Sequence, residues 1–232
     1  MPSKKYKFNN KNLTLNLRDE VDISVANEIF VIREYRSSEQ IIKNAKAPIL
    51  DIGTHAGYFI LYCRTFNPTV PIFGFEPEKK NFEFCQKNLT ANKIKKVKVL
   101  PVAVWSKSGM KNLQITADSQ NNFLQENKTS KNSIQVKTTS LTDFFAQNKI
   151  KEISLLKMDI EGAEFTIFKN LPSADLKKIK NIILEYHISP KNKPKKIEDI
   201  LRRNGFEVKR LPSIFDKKMG FIFATNKRVK SL

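Results

Sequence analysis

The sequence predicts an α/β protein with an open, mostly parallel sheet and helices on both faces. Three observations support this prediction. Short apolar runs alternate with helical patterns from about residue 48 onward. Several of these runs end in an acid, which is typical of strands whose carboxyl ends border a ligand site. Neither an internal repeat nor a linker interrupts the alternation, so the pattern indicates one layered domain.

Composition agrees with a single sizeable domain. The chain has 232 residues, of which 40% are hydrophobic and 28% are charged. Its 42 Lys and Arg against 23 Asp and Glu give a net charge of +19, with denser basic patches at 190–196 and 226–230. Such a field attracts polyanions, including nucleic acid, anionic lipid and acidic glycans. A lysine-rich solvated surface without a dedicated partner is an equally good interpretation.

Features that the sequence lacks bear on the cellular location of the protein and on the state of its two cysteines. No apolar stretch approaches the roughly 20 residues that a membrane helix needs, and the N-terminus has no signal-peptide pattern. We therefore expect a cytoplasmic protein without a transmembrane segment. Cys63 and Cys85 each lie in a helical apolar pattern, so they are expected to be core residues and not disulfide or zinc ligands.

The first 46 residues are predicted to form an N-terminal extension or lid, and residues 47–232 the main domain. Leu13, Leu15 and Leu17 alternate with polar residues as in an edge strand. The segment Glu28–Tyr35 suggests a second extended or helix-leading piece. Ser37–Gln40 offers a helix start before Ile41.

The main domain is predicted from alternating short apolar runs and helical patterns. The predicted strands are Pro48–Ile52, Pro71–Glu76, Val97–Val104, Ile153–Asp159 and Asn181–His187, followed by a closing hairpin of Phe206–Leu211 and Met219–Ala224. The predicted helices are Gly57–Phe66, Phe82–Asn92, Leu141–Asn148 capped by Ser140, Ala163–Leu171 and Ile197–Arg203. Between them, Leu113–Thr116 and Ile134–Thr138 suggest short strands, and Asp118–Lys131 a mobile polar loop.

The segment from Ile49 to Phe59 predicts a strand, a tight turn and a helix. Asp51 ends the apolar run, Gly53 and Gly57 form the turn, and an apolar helical pattern begins at Phe59. Glycines allow positive φ and close approach of a ligand to the backbone, and the helix N-terminus offers unpaired N–H groups. A nucleotide-like ligand fits this turn.

Glu76 narrows the class of ligand. It follows the glycine turn by roughly twenty residues at a strand end, where an acid can accept both ribose hydroxyls. A dinucleotide site would need further glycines where this chain has His55 and Tyr58. The acid at Asp51 instead suits a cationic aminoacyl sulfonium ligand, so S-adenosylmethionine is favoured over a dinucleotide.

Four segments together resemble the FkbM family of S-adenosylmethionine-dependent methyltransferases. They are Leu50–Phe59, Phe75–Pro77, Val102–Val104 and, most specifically, Leu156–Glu164 with its Asp-Ile-Glu-Gly-Ala-Glu run. The resemblance covers about Glu28 to His187. It implies the Rossmann-like class I methyltransferase fold with a seven-stranded sheet and, most often, O-methylation of a sugar or other natural product.

The donor site that follows from these motifs is a strand-end set. It comprises Asp51, Gly53, Thr54, His55, Gly57, Tyr58, Phe59, Glu76, Pro77, Ala103 and Asp159. His55 departs from the family, which usually has asparagine there. Both side chains form hydrogen bonds, so we expect altered contacts and retained binding.

The acceptor side is predicted from two pairs of residues at neighbouring strand ends. Asp159 and Glu161 are two apart, and an extended backbone would point both the same way; Glu185 and His187 repeat the spacing. A base that takes the acceptor proton assists methyl transfer to a hydroxyl. His187 is the first candidate, with Asp159 or Glu161 as the alternative, and Glu164 is expected to be structural.

Two further expectations concern this pocket. Tyr35 is proposed to reach the acceptor from the N-terminal extension, with packing as the alternative. The acids could hold Mg²⁺, which prefers oxygen ligands, but we expect no metal.

Two other functions remain open from the sequence. An RNA methyltransferase of similar fold is favoured by the +19 charge. It is disfavoured because the chain has no Asn-Pro-Pro-Tyr type motif, no appended RNA-binding module and no aromatics interleaved with its basic residues. A non-catalytic module that retains the donor pocket is the second alternative. The sequence does not indicate the oligomeric state or the acceptor, beyond a small molecule or glycan.

Overall fold

The computed structural model describes residues 3–116, 121–125, 132–189, 192–213 and 218–228. Its centre is a seven-stranded sheet in the order β12-β13-β11-β10-β3-β4-β5. The strands are β3 (Ile49–Ile52), β4 (Ile72–Phe75), β5 (Val97–Leu100), β10 (Leu155–Met158), β11 (Asn181–His187), β12 (Phe206–Pro212) and β13 (Met219–Asn226). Strand β13 is antiparallel to both of its neighbours, β11 and β12, and the other neighbouring strands pair in parallel, so the predicted α/β class is confirmed.

Helices cover both faces of this sheet. The α-helices are α1 (Glu20–Asn27), α2 (Glu39–Asn44), α3 (Tyr58–Phe66), α4 (Lys79–Ala91), α5 (Leu141–Gln147), α6 (Ala163–Asn170), α7 (Ser173–Leu176) and α8 (Pro194–Arg203). The face covered by α1 to α4 buries Ile49, Leu155 and Ile183. The opposite face, covered by α5 to α8, buries Leu50 and Leu156. Successive strand residues point to opposite faces, which is why both sets are apolar.

The prediction of one continuous strand over Val97–Val104 is wrong. The chain leaves the main sheet after Leu100, at Pro101, which cannot donate a ladder hydrogen bond. It then enters a second sheet of order β6-β9-β7-β8. The strands of this sheet are β6 (Ala103–Val104), β7 (Gly109–Gln114), β8 (Phe123–Gln125) and β9 (Ser133–Thr139). Leu113 and Val136 bury its inner face with Ala103.

The N-terminal residues form a hairpin and a helix that pack on α3 and α4. Strands β1 (Ser3–Phe8) and β2 (Lys11–Asn16) pair antiparallel through Asn9 and Asn10, which both have positive φ, a conformation that asparagine tolerates in tight hairpin turns. The N–H of Thr14 donates to Asn92 Oδ1 and that of Asn16 to Asn88 Oδ1, both at 2.8 Å. These two amides therefore cover the open edge of β2.

The segment Glu28–Tyr35 is not extended. Helix α1 continues into a π-helical turn, Glu28–Ile32, that ends at Arg33 in the left-handed conformation. Ile29 and Phe30 are buried by this turn, so tertiary packing outweighs the strand preference of its β-branched residues. The predicted helix start after Ser37 is confirmed by α2.

Most of the other predicted elements are found within one to three residues of their predicted ends. Ser140 caps α5 by accepting the N–H of Asp143. Of the loop predicted over 118–131, only 121–125 lies within the described residues; Lys191 and Lys230 of the two basic patches also lie outside them. Within the described part of the chain, every helix is too short or too polar to cross a bilayer.

Candidate active site

A cavity of about 360 Å³ opens at the carboxyl ends of β3, β4, β10 and β11. The second sheet contributes one wall through Leu113 and Leu124, and the N-terminal segment contributes another through Glu28, Glu34 and Tyr35. The predicted site residues that line it are Tyr35, Gly53, Thr54, His55, Tyr58, Phe59, Glu76, Pro77, Ala103, Asp159, Glu161, Glu185 and His187. The predicted donor residues and the predicted acceptor residues therefore line the same cavity.

The glycine turn after β3 forms the floor of the cavity. Gly53 and Gly57 have φ of +80° and +85°, where side chains with a Cβ are strained. A Cβ on Gly53 would lie 1.9 Å from the carbonyl oxygen of Asp159, and one on Gly57 would lie 2.7 Å from Cys85 Sγ. Both positions therefore require glycine for conformation and for space.

Glu76 lies at the end of β4 with its carboxylate fixed by the backbone. Oε2 accepts the N–H of His55 and Oε1 that of Glu78, each at 2.9 Å. The residue is 6% exposed, and burial raises the pKa of Glu76 to about 7 against the lowering effect of these two hydrogen bonds. Each oxygen keeps a lone pair that could accept a ligand hydroxyl.

His55 is held by charged groups from the N-terminal segment. Arg18 Nη2 lies 3.1 Å from His55 Nε2 and 2.8 Å from Asp22 Oδ1, and Arg18 Nη1 donates to Asn81 Oδ1 at 2.7 Å. Burial lowers the pKa of His55 to about 4, with Arg18 lowering it further. The imidazole is therefore neutral and accepts from Arg18 through Nε2. Its backbone has φ +48°, which histidine and asparagine both tolerate.

Asp51 and Lys157 form a buried ion pair beneath the cavity. They are opposite each other on the parallel strands β3 and β10, with Lys157 Nζ 3.2 Å from Asp51 Oδ1. The same ammonium donates to the carbonyl oxygen of Gly53 at 2.8 Å and lies 3.9 Å from Asp159 Oδ2. Burial acts to lower the pKa of Lys157, but Asp51 and Asp159 outweigh it and raise that pKa.

Asp159 and Glu161 lie on a turn and not on an extended strand. Strand β10 ends at Met158, and Glu161 and Gly162 both have positive φ. The extended backbone expected for Asp159 and Glu161 is therefore wrong, although both residues line the cavity. Glu164 is fully buried and accepts the N–H of Ile160 at 2.9 Å, which closes this turn.

The turn brings Glu161 to His187. Glu161 Oε2 lies 3.4 Å from His187 Nδ1, and Glu185 Oε1 lies 3.8 Å from His187 Nε2. Burial and the nearby Asp159 raise the pKa of Glu161 to about 8. Burial and Asp159 also raise the pKa of Glu185 well above its ordinary value. The imidazole therefore lies between two carboxyl groups that hold protons readily.

Several residues of the site are not among those predicted from the sequence. Lys157 interrupts the apolar run of β10, and a charge inside a buried strand was the available signal. Arg18 and Asp22 are far from the motifs in sequence, and nothing local indicates their contact with His55.

Two of the predicted donor residues, Asp51 and Gly57, are not among the residues that line the cavity and lie beneath its floor. Among the described residues, no three His, Cys, Asp or Glu side chains have a metal-binding arrangement; the metal-free site remains a prediction.

Comparison with solved structures agrees with the architecture. The methyltransferase domain of METTL16 superposes with a TM-score of 0.52 at 15% identity, covering 91% of this chain and 70% of that one. TrmK of M. capricolum, solved with S-adenosyl-homocysteine, gives a TM-score of 0.50 at 16% identity, covering 83% and 68%. At these identities the likeness shows the fold alone, which is the Rossmann-like fold of class I methyltransferases.

Curated relatives are methyltransferases. Methyltransferase sdnD of Sordaria araneosa is 25% identical over 70% of this chain and 74% of its own. Methyltransferase 1 of Beauveria bassiana is 24% identical over 59% of this chain. The 31-O-demethyl-FK506 methyltransferase FkbM of Streptomyces tacrolimicus is 22% identical over 60%. The alignments span 63% and 65% of the last two proteins, slightly less than two thirds of their length.

The family match covers the part of the site that runs from the glycine turn to β11 and ends within β12. The family described as the methyltransferase FkbM domain matches residues 51–208, which include the cavity residues from Gly53 to His187. With the fold and the relatives, this match means that the chain belongs to the FkbM family of S-adenosylmethionine-dependent methyltransferases.

Proposed function

We propose that this protein transfers a methyl group from S-adenosylmethionine to a hydroxyl oxygen of a sugar, glycan or other natural-product acceptor. The observation that carries the proposal is the His187 imidazole, placed between Glu161 and Glu185 in the cavity that Glu76 borders. The relative from Streptomyces tacrolimicus, named for O-methylation, supports an oxygen acceptor.

The donor end of the cavity fits an adenosine-type ligand. Glu76 presents a carboxylate oriented by two backbone N–H groups, which suits the two hydroxyls of a ribose. Tyr58, Phe59 and Pro77 supply apolar surface, and Gly53 and Gly57 keep the turn clear of side chains. Thr54, His55 and Ala103 complete this wall, while Asp51 acts through Lys157.

The acceptor end of the cavity provides a general base and polar side chains around it. When bound, the sulfonium donor supplies an electrophilic methyl group. His187 takes the acceptor hydroxyl proton as the oxygen–carbon bond forms, and the Glu161 carboxyl, 3.4 Å from Nδ1, orients the ring. Asp159 and Glu185 align the hydroxyl. General-base assistance of this kind contributes about 10²–10⁴-fold, and alignment of the reacting atoms contributes more.

The first test is methyl transfer from labelled donor to a panel of sugars and polyols by wild type and His187→Ala. We expect kcat to fall by about 10²-fold or more while the dissociation constant for S-adenosyl-homocysteine stays unchanged. Added imidazole should restore part of the rate to His187→Ala but not to Glu76→Ala. Equal rates for wild type and His187→Ala would remove His187 as the base.

An RNA acceptor is the second candidate, favoured by the +19 charge. The acidic residues that line the cavity around His187, which are Glu28, Glu34, Asp159, Glu161 and Glu185, disfavour phosphates. RNA methylation would be accompanied by binding that weakens steeply with salt, because phosphate contacts release counterions. Methyl transfer to RNA with such a salt slope, and none to hydroxyl panels, would select this candidate. Donor binding without turnover on any acceptor would identify a non-catalytic module.

A further inference from the structure

The edge of the main sheet opposite the cavity is strongly basic. Strands β3, β4, β5, β10 and β11 run in parallel, so the segments that lead into them all reach the same amino edge. Together these segments contain ten lysines and one acid, Glu152. They are 43–48, 67–71, 92–96, 148–154 and 177–180.

Backbone hydrogen bonds join these segments into one surface. The N–H of Ser154 donates to the carbonyl oxygen of Pro48 at 2.9 Å, which links the segments before β10 and β3. A parallel bridge links the segments before β10 and β11. Arg64, only 7% exposed, donates through Nη2 to the carbonyl oxygen of Lys96 at 3.1 Å. The lysines therefore have fixed backbone positions along one edge.

Eight of the ten lysines form no ion pair with any described residue. Lys178 pairs with Asp175 and Lys180 with Glu152, each at 2.8 Å. The other eight are exposed, and their ammonium groups concentrate positive charge that attracts anions. These eight, which we call the basic edge, are Lys43, Lys46, Lys93, Lys95, Lys96, Lys149, Lys151 and Lys177.

Fold stability does not account for lysine at these positions. Lys93, Lys96 and Lys149 have φ of +53°, +57° and +51°, a region that favours glycine and asparagine. Cations stabilise the last turn of a helix, but that effect falls off within the turn. Lys95, Lys96 and Lys151 lie beyond the last turns of α4 and α5. The charge is therefore better explained by a partner of the surface.

The layout of the basic edge favours a planar anionic partner. Five of its lysines follow α2 and α4 on one face of the sheet, and three follow α5 and α7 on the other. The charges are therefore spread over an area and do not trace one line. The five segments contain no aromatic residue to stack on bases and no arginine to bind a phosphate with two hydrogen bonds. A lipid headgroup surface needs only point charges such as lysine.

We propose that the basic edge binds this protein to the surface of an anionic lipid bilayer, with the cavity facing away from the membrane at the opposite edge of the sheet. The large apolar side chains that are exposed among the described residues belong to other segments, so the attraction is electrostatic and no side chain of this edge inserts. Donor and acceptor enter the cavity from the aqueous side. The inference is independent of the acceptor that the cavity takes.

The test measures binding of the full chain to lipid vesicles by sedimentation. Vesicles of equal parts phosphatidylcholine and phosphatidylserine are compared with vesicles of phosphatidylcholine alone. We expect binding to the anionic vesicles only, and weaker binding as added salt shortens the range of the charges. S-adenosyl-homocysteine should bind vesicle-bound and free protein with equal affinity, and a lower affinity on vesicles would contradict the proposed orientation.

Removing part of the basic edge should weaken this binding. The triple variant Lys93→Gln, Lys95→Gln and Lys96→Gln should bind anionic vesicles about 10²-fold more weakly, since each lysine near such a surface contributes about fivefold. All three side chains are exposed, and circular dichroism of the variant reports its folding. Because binding is measured without turnover, failure of the proposed methyl transfer would leave this result unaffected.

A matched control removes the same charge away from the basic edge. Lys79, Lys80 and Lys107 are exposed, and the first two begin α4 at the carboxyl end of β4. Changing all three to glutamine should alter vesicle binding by less than about threefold, because charges beyond the Debye length are screened.

A second triple variant, Lys149→Gln, Lys151→Gln and Lys177→Gln, tests the other face of the sheet and should weaken binding similarly. Three results would overturn the inference: no binding to anionic vesicles, equal binding to both kinds of vesicle, and equal losses in the control and in both triple variants. A further arm replaces the vesicles with double-stranded RNA. If RNA binds where anionic vesicles do not, and either triple variant abolishes that binding, the basic edge is a nucleic-acid surface and the bilayer assignment is wrong.

Discussion

Lys157 has three simultaneous contacts below the cavity. It neutralises Asp51, donates to the Gly53 carbonyl and lies within 4 Å of Asp159. All of these groups belong to the donor wall or its support. A neutral residue here would leave Asp51 charged and fully buried, which is costly because no water solvates it.

Replacing Lys157 with methionine tests this role. We expect Lys157→Met to lower the free energy of unfolding by about 3–5 kcal/mol and to weaken binding of S-adenosyl-homocysteine, as measured by urea titration and calorimetry. The double variant Asp51→Asn with Lys157→Met should recover part of the stability, since no isolated charge remains. A loss below about 1 kcal/mol in the single variant would contradict the ion pair's importance.

Glu161 makes stability depend on pH in a defined direction. Its folded pKa of about 8 exceeds the ordinary value of 4.5. The stabilisation from holding the proton is complete below about pH 4.5 and is lost as the pH rises through about 8. Glu161→Gln stays neutral, so it should gain about 4 kcal/mol on wild type between about pH 5 and about pH 9. Urea titrations at several pH values measure this difference.

A solvent-exposed carboxylate provides the control for that pH series. Glu83→Gln changes the same functional group at a side chain that is 56% exposed, where solvent screens the charge. We expect its unfolding free energy to follow wild type across the series. A pH-independent difference for Glu161→Gln would mean that its proton is not linked to folding.

The N-terminal hairpin packs as part of the main core. Leu15 of β2 is fully buried in the same apolar cluster as Phe59 and Tyr62 of α3. Leu15→Ala should therefore lower the unfolding free energy by about 2–5 kcal/mol within a single cooperative transition, observed by circular dichroism. A separate early transition would instead support residues 1–46 as a detachable lid.

The control for the hairpin lies on the same strand. Lys11 is exposed at the start of β2, so Lys11→Ala should change stability by less than about 0.5 kcal/mol. The comparison separates loss of buried apolar surface from general disturbance of the strand.

Sequence patterns predicted the elements whose cause is local. The glycine turn, the capping Ser140 and the apolar runs of β3, β10 and β11 were read correctly because periodicity and turn chemistry act over a few residues. The segment Val97–Val104 predicts one strand, because the pattern does not reveal which sheet a strand joins.

The rest of the site depends on contacts that are distant in sequence. Arg18 meets His55 across 37 residues, and Lys157 meets Gly53 across 104. Glu161 has a left-handed backbone and lies beside His187, a contact that no local pattern indicates. Residue types suggest a chemistry for the acceptor residues, and only the tertiary structure supplies their geometry.

Donor binding should stabilise the whole fold, because strands on both sides of β3 border the cavity. Saturating S-adenosyl-homocysteine at about 100 times its dissociation constant should raise the unfolding free energy by about 2.7 kcal/mol. NAD at the same concentration is the control and should have little effect, since His55 and Tyr58 occupy positions where a dinucleotide turn has glycine. Equal stabilisation by NAD would contradict the assigned donor class.

The contact between Gly53 and the Asp159 carbonyl makes two distant sequence motifs interdependent. A Cβ at Gly53 would come within 1.9 Å of that oxygen, so the first loop can vary only if the second moves with it. Engineers who graft a loop from another methyltransferase onto this scaffold would have to exchange both as a matched set. During evolution, substitutions in the loop at Gly53 should be tolerated only alongside compensating changes in the loop at Asp159.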